Sequence, residues 1–246
     1  MIYNILIEIF VLALGSISLF AGDFTGANKR FQEGDFTGAA SAYEEILKSD
    51  GSNASVFYNL GNSYFRLGKL GPAILAYERA RILTPRDPLL LSNLARARKD
   101  AAVTGDTQLA PWVNAIANKL SPNEWSCLLV GTALALGVLS IVASITRLPR
   151  RWTRGAVGFS LCCIAISAAA LYLRRSEASR GVIVADNAAI RLSPFESAES
   201  IRTLPQGQII QIGASQSEFH HIEAPGLELR GWLADRDFSA IIPGKP

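Results

Sequence analysis

The chain has 246 residues, with 24 Lys and Arg against 21 Asp and Glu, a formal net charge of +3 and a mean hydropathy of +0.22. Only 18% of its residues are charged, too few for an ordinary soluble protein of this length, and the apolar residues gather in three blocks. The small basic excess lies beside those blocks, where membrane contact accounts for it, so no nucleic-acid partner is expected. Cys127, Cys162 and Cys163 fall inside two of the blocks and are expected to pack there, with no disulfide framework and no metal or other cofactor.

The first block, residues 1–22, is similar to an export signal: an apolar stretch over 9–20 ends in the small residues Ala21 and Gly22. No Lys or Arg precedes the stretch, and Glu8 lies just ahead of it, so a cleaved signal peptide and an uncleaved anchor both stand. Either one carries the following residues across a membrane.

Residues 23–103 contain an internal repeat. Gly34, Ala39 and Tyr43 recur thirty-four positions later as Gly68, Ala73 and Tyr77. In the second copy Phe57, Leu60, Gly61, Tyr64, Gly68, Ala73, Tyr77, Ala80 and Pro85 resemble the signature of the tetratricopeptide repeat (TPR). The chemistry is that of a helical hairpin. Small residues let two antiparallel helices approach, aromatic residues fill the seam, and Pro85 ends the second helix. The first copy lacks the aromatic and Leu-Gly signature in its opening helix, residues 24–33, whereas its second helix, 36–48, conforms. A third copy starts near Asp87 with Leu90, Leu91, Leu94 and Ala97 on one face and stops after one capping helix. About two and a half repeats are therefore expected, few enough that stability depends on the membrane segments or on a partner.

A stack of this kind presents a concave face lined by the first helix of each pair. The register places Tyr58, Asn59, Asn62, Phe65, Arg66, Asn93 and Arg96 on that face, which is the candidate protein-binding groove. The resemblance also puts Asn28, Asn59 and Arg96 where some TPR proteins hold a peptide's terminal carboxylate. Phe24 and Ser92 replace the lysines of that clamp, so carboxylate capture is the weaker reading.

Residues 104–123 read as a linker whose later part, from Pro111, is amphipathic through Trp112, Val113, Ile116 and Leu120. Two spans follow within residues 124–174: 125–145 is free of charge and long enough to cross a bilayer, and 155–173 is rich in small residues suited to helix contact. The turn between them, 146–154, holds Arg147, Arg150, Arg151 and Arg154, and by the positive-inside rule it is expected in the cytoplasm. Lys119, Arg174, Arg175 and Arg180 on the other side equal that number, so the tightness of the cluster and the exported first segment decide the orientation. Trp125 and Trp152 are placed as interfacial anchors. The repeats and the C-terminal region then lie outside the cytoplasm, at a bacterial inner membrane.

From residue 180 to 243 the texture changes to short β-type runs at 182–185, 189–192, 201–204, 208–213, 219–222 and 229–233. This region resembles a bacterial SH3-like barrel. Ala189-Ile190-Arg191 with Pro194, the turn Leu204-Pro205-Gln206-Gly207, and the late strand Arg230-Gly231-Trp232-Leu233 carry the resemblance. Trp232 and Phe219 mark a candidate groove on it, although a middle-strand Trp of that family is replaced by Phe219, His220 and His221.

His220 and His221 are adjacent on a strand and so point to opposite faces, which prevents joint chelation. Ser217 and Glu223 stand near them, but no recognisable catalytic motif is present, and no enzymatic activity is expected. The sequon Asn53-Ala54-Ser55 reads as accidental.

The fold class expected is a multidomain membrane protein: an all-α TPR solenoid, a transmembrane helical hairpin and a small all-β SH3-like barrel. In that order these parts resemble the BatE-type proteins of the bacterial Bat aerotolerance group. The resemblance implies a scaffold in a stress- or oxygen-tolerance complex, with von Willebrand factor A-type and BatD-like membrane proteins and a MoxR-type ATPase as partners. The alternative is a peptidoglycan-binding module acting through the C-terminal barrel.

Overall fold

A computed structural model describes residues 24–103, 119–146, 149–174 and 179–242. The expected export segment, the bulk of the amphipathic linker and Arg147 lie outside the described residues. Five helices form the first unit: α1 (24–32), α2 (Phe36–Asp50), α3 (Ala54–Arg66), α4 (Leu70–Leu83) and α5 (Pro88–Asp100). Their boundaries follow from local chemistry. Asp35 caps α2 by accepting from the Gly38 amide, Asn53 caps α3 through the Ser55 and Val56 amides, and Asp87 caps α5 through Leu89 and Leu90 with Pro88 behind it. The Asn53 side chain of the sequon is thus a helix cap. Gly34 and Gly68, at φ +85° and +73°, make the equivalent turns inside the two hairpins, a conformation that L side chains resist.

The apolar faces interlock as a solenoid. Ala39, Tyr43, Ile46, Val56, Leu60 and Ala76 form one layer, and Phe57, Ala73, Ile74, Tyr77, Ala80, Leu90, Leu94 and Ala97 form the next. A Cβ on Gly61 would sit 2.6 Å from the Tyr77 ring, so this seam closes only over glycine. Leu91, expected on the buried face of the third copy, is 40% exposed, because that face is centred on Leu90, Leu94 and Ala97.

Two long helices follow, α6 (Pro122–Thr146) and α7 (Arg150–Arg174), packed against each other. Both contain a stretch long and apolar enough to cross a membrane, Pro122–Ala143 and Thr153–Leu173, and few residues of either are buried. Helix α6 starts earlier than residue 125 because Ser121 and Glu124 form a capping box: the Ser121 amide donates to the Glu124 carboxylate at 2.7 Å and the Glu124 amide to the Ser121 hydroxyl at 3.3 Å. The arginine-rich turn narrows as well, since Arg150, Arg151 and Arg154 belong to the first turns of α7. Thr132, Ser140 and Thr146 return their hydroxyls to carbonyls four residues back, leaving no outward polar demand.

The last unit is a seven-stranded antiparallel sheet. Its strands are β1 (Arg180–Ile183), β2 (Asn187–Arg191), β3 (Ser200–Pro205), β4 (Ile209–Gln216), β5 (Phe219–Ala224), β6 (Leu229–Ala234) and β7 (Phe238–Ala240), in spatial order β3-β2-β6-β5-β4-β1-β7. Irregularities at Ile190/Arg191 and between Ile212 and Ser215 bend it. Ile183, Ala188, Ile190, Leu204, Ile210, Ile222 and Leu233, from six strands, converge on one core.

The helical unit and the sheet are not beads on a string. Val182, Ile209 and Ile241 belong to the same apolar cluster as Ile74 and Tyr77. Along α4, the Gly71 amide donates to Gln206 Oε1 at 3.0 Å, and a Cβ on Gly71 would lie 2.6 Å from the Ile183 carbonyl. Gly207, at φ +85°, admits Ile74 in the same way, since its Cβ would lie 2.5 Å from Ile74 Cδ1. One turn on, Arg79 donates to the carbonyls of Ile241 (3.1 Å) and Ala240 (2.8 Å) and to the Ser239 hydroxyl (3.2 Å). The sheet therefore covers the α4 flank of the short solenoid, a role not expected for it from the sequence.

Candidate functional site

The concave face is organised by a hydrogen-bond unit that repeats with the helices. Asn28 Oδ1 accepts from the Tyr43 hydroxyl at 2.6 Å and from Asn59 Nδ2 at 3.0 Å. Thirty-four residues later Asn62 Oδ1 accepts from the Tyr77 hydroxyl at 2.8 Å and from Asn93 Nδ2 at 3.1 Å. Each unit ties the first helix of one repeat to its own second helix and to the first helix of the next. Asn93 also donates to the Tyr58 hydroxyl at 3.0 Å. Burial raises the Tyr43 and Tyr77 hydroxyls above the ordinary tyrosine range, so both remain donors at any physiological pH.

Three of the seven expected groove residues, Asn59, Asn62 and Asn93, are thereby parts of the scaffold as well as of its inner surface. Asn28 and Asn59, the positions tied by resemblance to carboxylate capture, are bonded to each other. Phe31, Asn62, Phe65, Arg66, Tyr77, Asn93 and Arg96 line an open cavity of about 290 Å³ on this face. Tyr58 and Asn59 are not among the residues that line it. Phe31 is the residue that sequence reasoning passed over, although it precedes Phe65 by the repeat period.

Two guanidinium groups dominate the cavity's chemistry. Arg66 lies over the Phe36 ring, 4.4 Å from its centroid, and Arg96 over Phe65 at 5.4 Å. Each contact sets a guanidinium against a ring face without neutralising its charge. Arg96 also approaches Asp100 at 3.9 Å, but both side chains are largely exposed and such a contact holds weakly.

On the sheet, Phe219 is buried at 5% exposure, which removes it from any surface groove. Trp232 is half-buried and meets His221 edge to face at 5.5 Å. His220 Nδ1 lies 2.6 Å from Asp235 Oδ1 and edge-on to Phe238, so the two histidines serve different neighbours. Among the described residues no group of three His, Cys, Asp or Glu side chains could hold a metal, and the three cysteines are free.

A second cavity of about 250 Å³ opens where Phe57, Arg79, Ile82, Leu83, Pro122 and Ile241 meet, at the start of α6. There Arg86 pairs with Glu124 at 2.7 Å and Trp125 is buried rather than spread on an interface. The first unit is thus attached to α6.

Comparison with known proteins agrees with the geometry. The tetratricopeptide repeat family matches residues 24–88, from α1 to the start of α5. No curated protein matches the chain. The matched region is similar to repeats that typically serve as protein-interaction scaffolds, and it is joined to two apolar helices and a C-terminal antiparallel sheet.

Proposed function

We propose that the protein is a non-catalytic, membrane-anchored scaffold that holds a partner protein in the groove of α1, α3 and α5. The observation that carries this reading is the cavity between Phe31, Phe65, Arg66 and Arg96, whose wall is fixed by the Asn62–Tyr77–Asn93 unit and whose rim carries two guanidinium groups. A rigid wall with a polar rim favours binding, because little side-chain freedom is lost when a ligand arrives.

Anchoring draws support from topology. Both flanking units pack on each other through α4, β1 and β7, so they share one side of a bilayer, and an even number of crossings must separate them. The pair α6 and α7 supplies two. By the arginine cluster at the start of α7, that shared side is extracytoplasmic. The order of parts favours Bat-type membrane proteins as partners and an SH3-like identity for the sheet. Peptidoglycan binding through the sheet has less support, because Phe219 is buried.

The test is photo-crosslinking in native membranes. A photoreactive residue at Phe65 should trap a defined partner, whereas one at Glu45, exposed on α2, should not. Equal trapping at both positions, or none at Phe65, would overturn the scaffold reading.

A further inference from the structure

We infer that the cavity at the root of α6 holds one anionic phospholipid, with the phosphodiester on Arg79 and an acyl chain against Ile82 and Leu83. The inference rests on the membrane-anchored reading and goes beyond it, since it concerns neither the groove nor the partner held there.

The first observation is position. Ser121, Pro122 and Asn123 form one wall of the cavity, and the apolar stretch of α6 begins at Pro122. A bilayer crossed by that stretch has its headgroups at the level of the cavity. A lipid can therefore enter without leaving its leaflet.

The second observation is the lining. Arg79, Ile82 and Leu83 are three and four residues apart and share one face of the last turns of α4. Phe57 of α3, with Ile241 and Ile242 just beyond β7, closes the sides. Ile242 is 36% exposed, so apolar surface continues out to the mouth. Water is held poorly in such a space, because it needs several polar partners that these side chains do not offer. An acyl chain needs none. A volume of about 250 Å³ takes part of one chain and not a whole lipid, so the remainder stays in the bilayer.

The third observation is charge. Among the described residues Arg79 is the one charged side chain lining the cavity. Its Nε and Nη2 donate to the carbonyls of Ile241 and Ala240 and to the Ser239 hydroxyl, which are all neutral. No carboxylate pairs with it among the described residues, and Nη1 is left for an incoming oxygen. Glu124, in the first turn of α6, is already engaged by Arg86 at 2.7 Å and by the Ser121 amide at 2.7 Å. A half-buried cation served only by neutral acceptors favours an anion, and a guanidinium suits phosphate oxygens. One molecule present at that depth joins such an anion to an apolar chain. Bound there, it touches α4, the end of the sheet and α6 together and so braces all three at the bilayer surface.

The test uses the full chain in phosphatidylcholine nanodiscs containing a small fraction of phosphatidylglycerol with a diazirine on one acyl chain. A parallel sample carries the same diazirine chain on phosphatidylcholine. After irradiation, adducts are mapped by peptide mass spectrometry. Phe159, 72% exposed on α7, reports lipid that merely surrounds the spans. The ratio of adducts at Ile82, Leu83 and Ile242 to those at Phe159 should be at least about tenfold higher for the anionic lipid, the factor expected of one charge-assisted contact. Unlabelled phosphatidylglycerol should compete for the cavity adducts, and glycerol phosphate, which has no chain, should not.

R79Q should bring the anionic ratio down to that of the neutral lipid. Because R79Q also releases bonds to the last strand, L83W supplies a variant that keeps Arg79 and fills the apolar wall, and it should lower the cavity adducts as well. Equal ratios for the two lipids in the wild type, or an anionic ratio that both variants leave unchanged, would overturn the inference. So would competition by glycerol phosphate alone. Labelling at Phe159 without cavity adducts overturns the lipid site and leaves the membrane anchor standing, whereas no labelling at Phe159 from either lipid sinks the anchor and the inference with it.

Discussion

Tyr77 donates its hydroxyl to Asn62, fifteen residues earlier, and Tyr43 bonds Asn28 across the same interval one repeat before. The bond links the two helices of a hairpin at its inner edge, and Asn93 joins it from the next repeat. Removing only the donor, in Y77F, should cost about 1 kcal/mol, because Asn62 keeps Asn93 as a partner. N62A should cost more, since it leaves the hydroxyl of the buried Tyr77 without its acceptor and Asn93 with Tyr58 alone. Thermal unfolding of the detergent-solubilised chain should rank wild type above Y77F and Y77F above N62A. The reverse order for the two variants would mean that the unit does not carry that strain.

The contrast between apolar and polar periodicity explains what was legible beforehand. Gly34 with Gly68 and Tyr43 with Tyr77 announce the hairpins through backbone and seam requirements that only certain residues meet. Asn28 with Asn62, Phe31 with Phe65, and Asn59 with Asn93 have the same spacing, yet Asn59 and Asn62 looked like ligand donors because a side-chain amide gives no sign of whether its partner is internal. The strands were legible as runs, with β7 missed because three half-buried residues, Phe238 to Ala240, form no pattern. The contact of α4 with the sheet was hidden for another reason. Gly71, Arg79 and Gln206 acquire meaning only when segments more than a hundred residues apart are brought together.

Gly71 tests that contact directly. Its missing side chain lets the Ile183 carbonyl approach α4, and even one methyl group would press on backbone rather than on a pliable side chain. Gly71→Val should therefore part the two units while leaving each folded. Hydrogen exchange should show faster exchange at β1 and β7 with α2 and α3 unchanged. Uniform loss of protection in α2 and α3 would show instead that the repeats cannot stand without the sheet.

Arg79 offers a gentler version. Its three bonds reach carbonyls and a hydroxyl in the last strand, and burial lowers its pKa without a carboxylate partner being involved. R79K keeps the charge but cannot span three acceptors in a fork, so it should free the C-terminal strand almost as much as R79A. Protease cleavage after residue 236 would read this, and full protection in R79K would refute a role for the fork.

Glu78 is fully buried beside Arg81 and Arg98, with Arg180 of β1 adding to the field. Burial alone would raise its carboxyl, but the three arginines outweigh burial and hold it at about 2, below the ordinary 4.5. The folded value is depressed, so this contribution to stability is complete above pH 4.5 and fades as pH falls toward about 2. E78Q strands buried cations and should cost about 3 to 5 kcal/mol at neutral pH. The gap in melting temperature between wild type and E78Q should stay level from pH 7 to 5 and narrow below 4.5. A gap that widens on acidification would contradict the sign.

On the proposed membrane reading, the packing of α4 on β1 and β7 also constrains how the chain threads a bilayer. After Cys127, Cys162 and Cys163 are replaced by serine, single cysteines at Glu45, Arg151 and Glu218 can be probed with a membrane-impermeant maleimide in intact cells and in inverted vesicles. Glu45 is on the repeats, Glu218 on the β4–β5 turn, and Arg151 beside the turn between the two apolar helices; all three are exposed. Because the repeats and the sheet touch, positions 45 and 218 must react from the same face, whichever face that is. Position 151 should react from the other. If both 45 and 218 are labelled in intact cells, the arginine cluster has set the orientation as the positive-inside rule requires. Labelling of 45 and 218 from opposite faces is incompatible with contacts such as Gly71 to Gln206, and would mean that α6 and α7 do not cross as a pair.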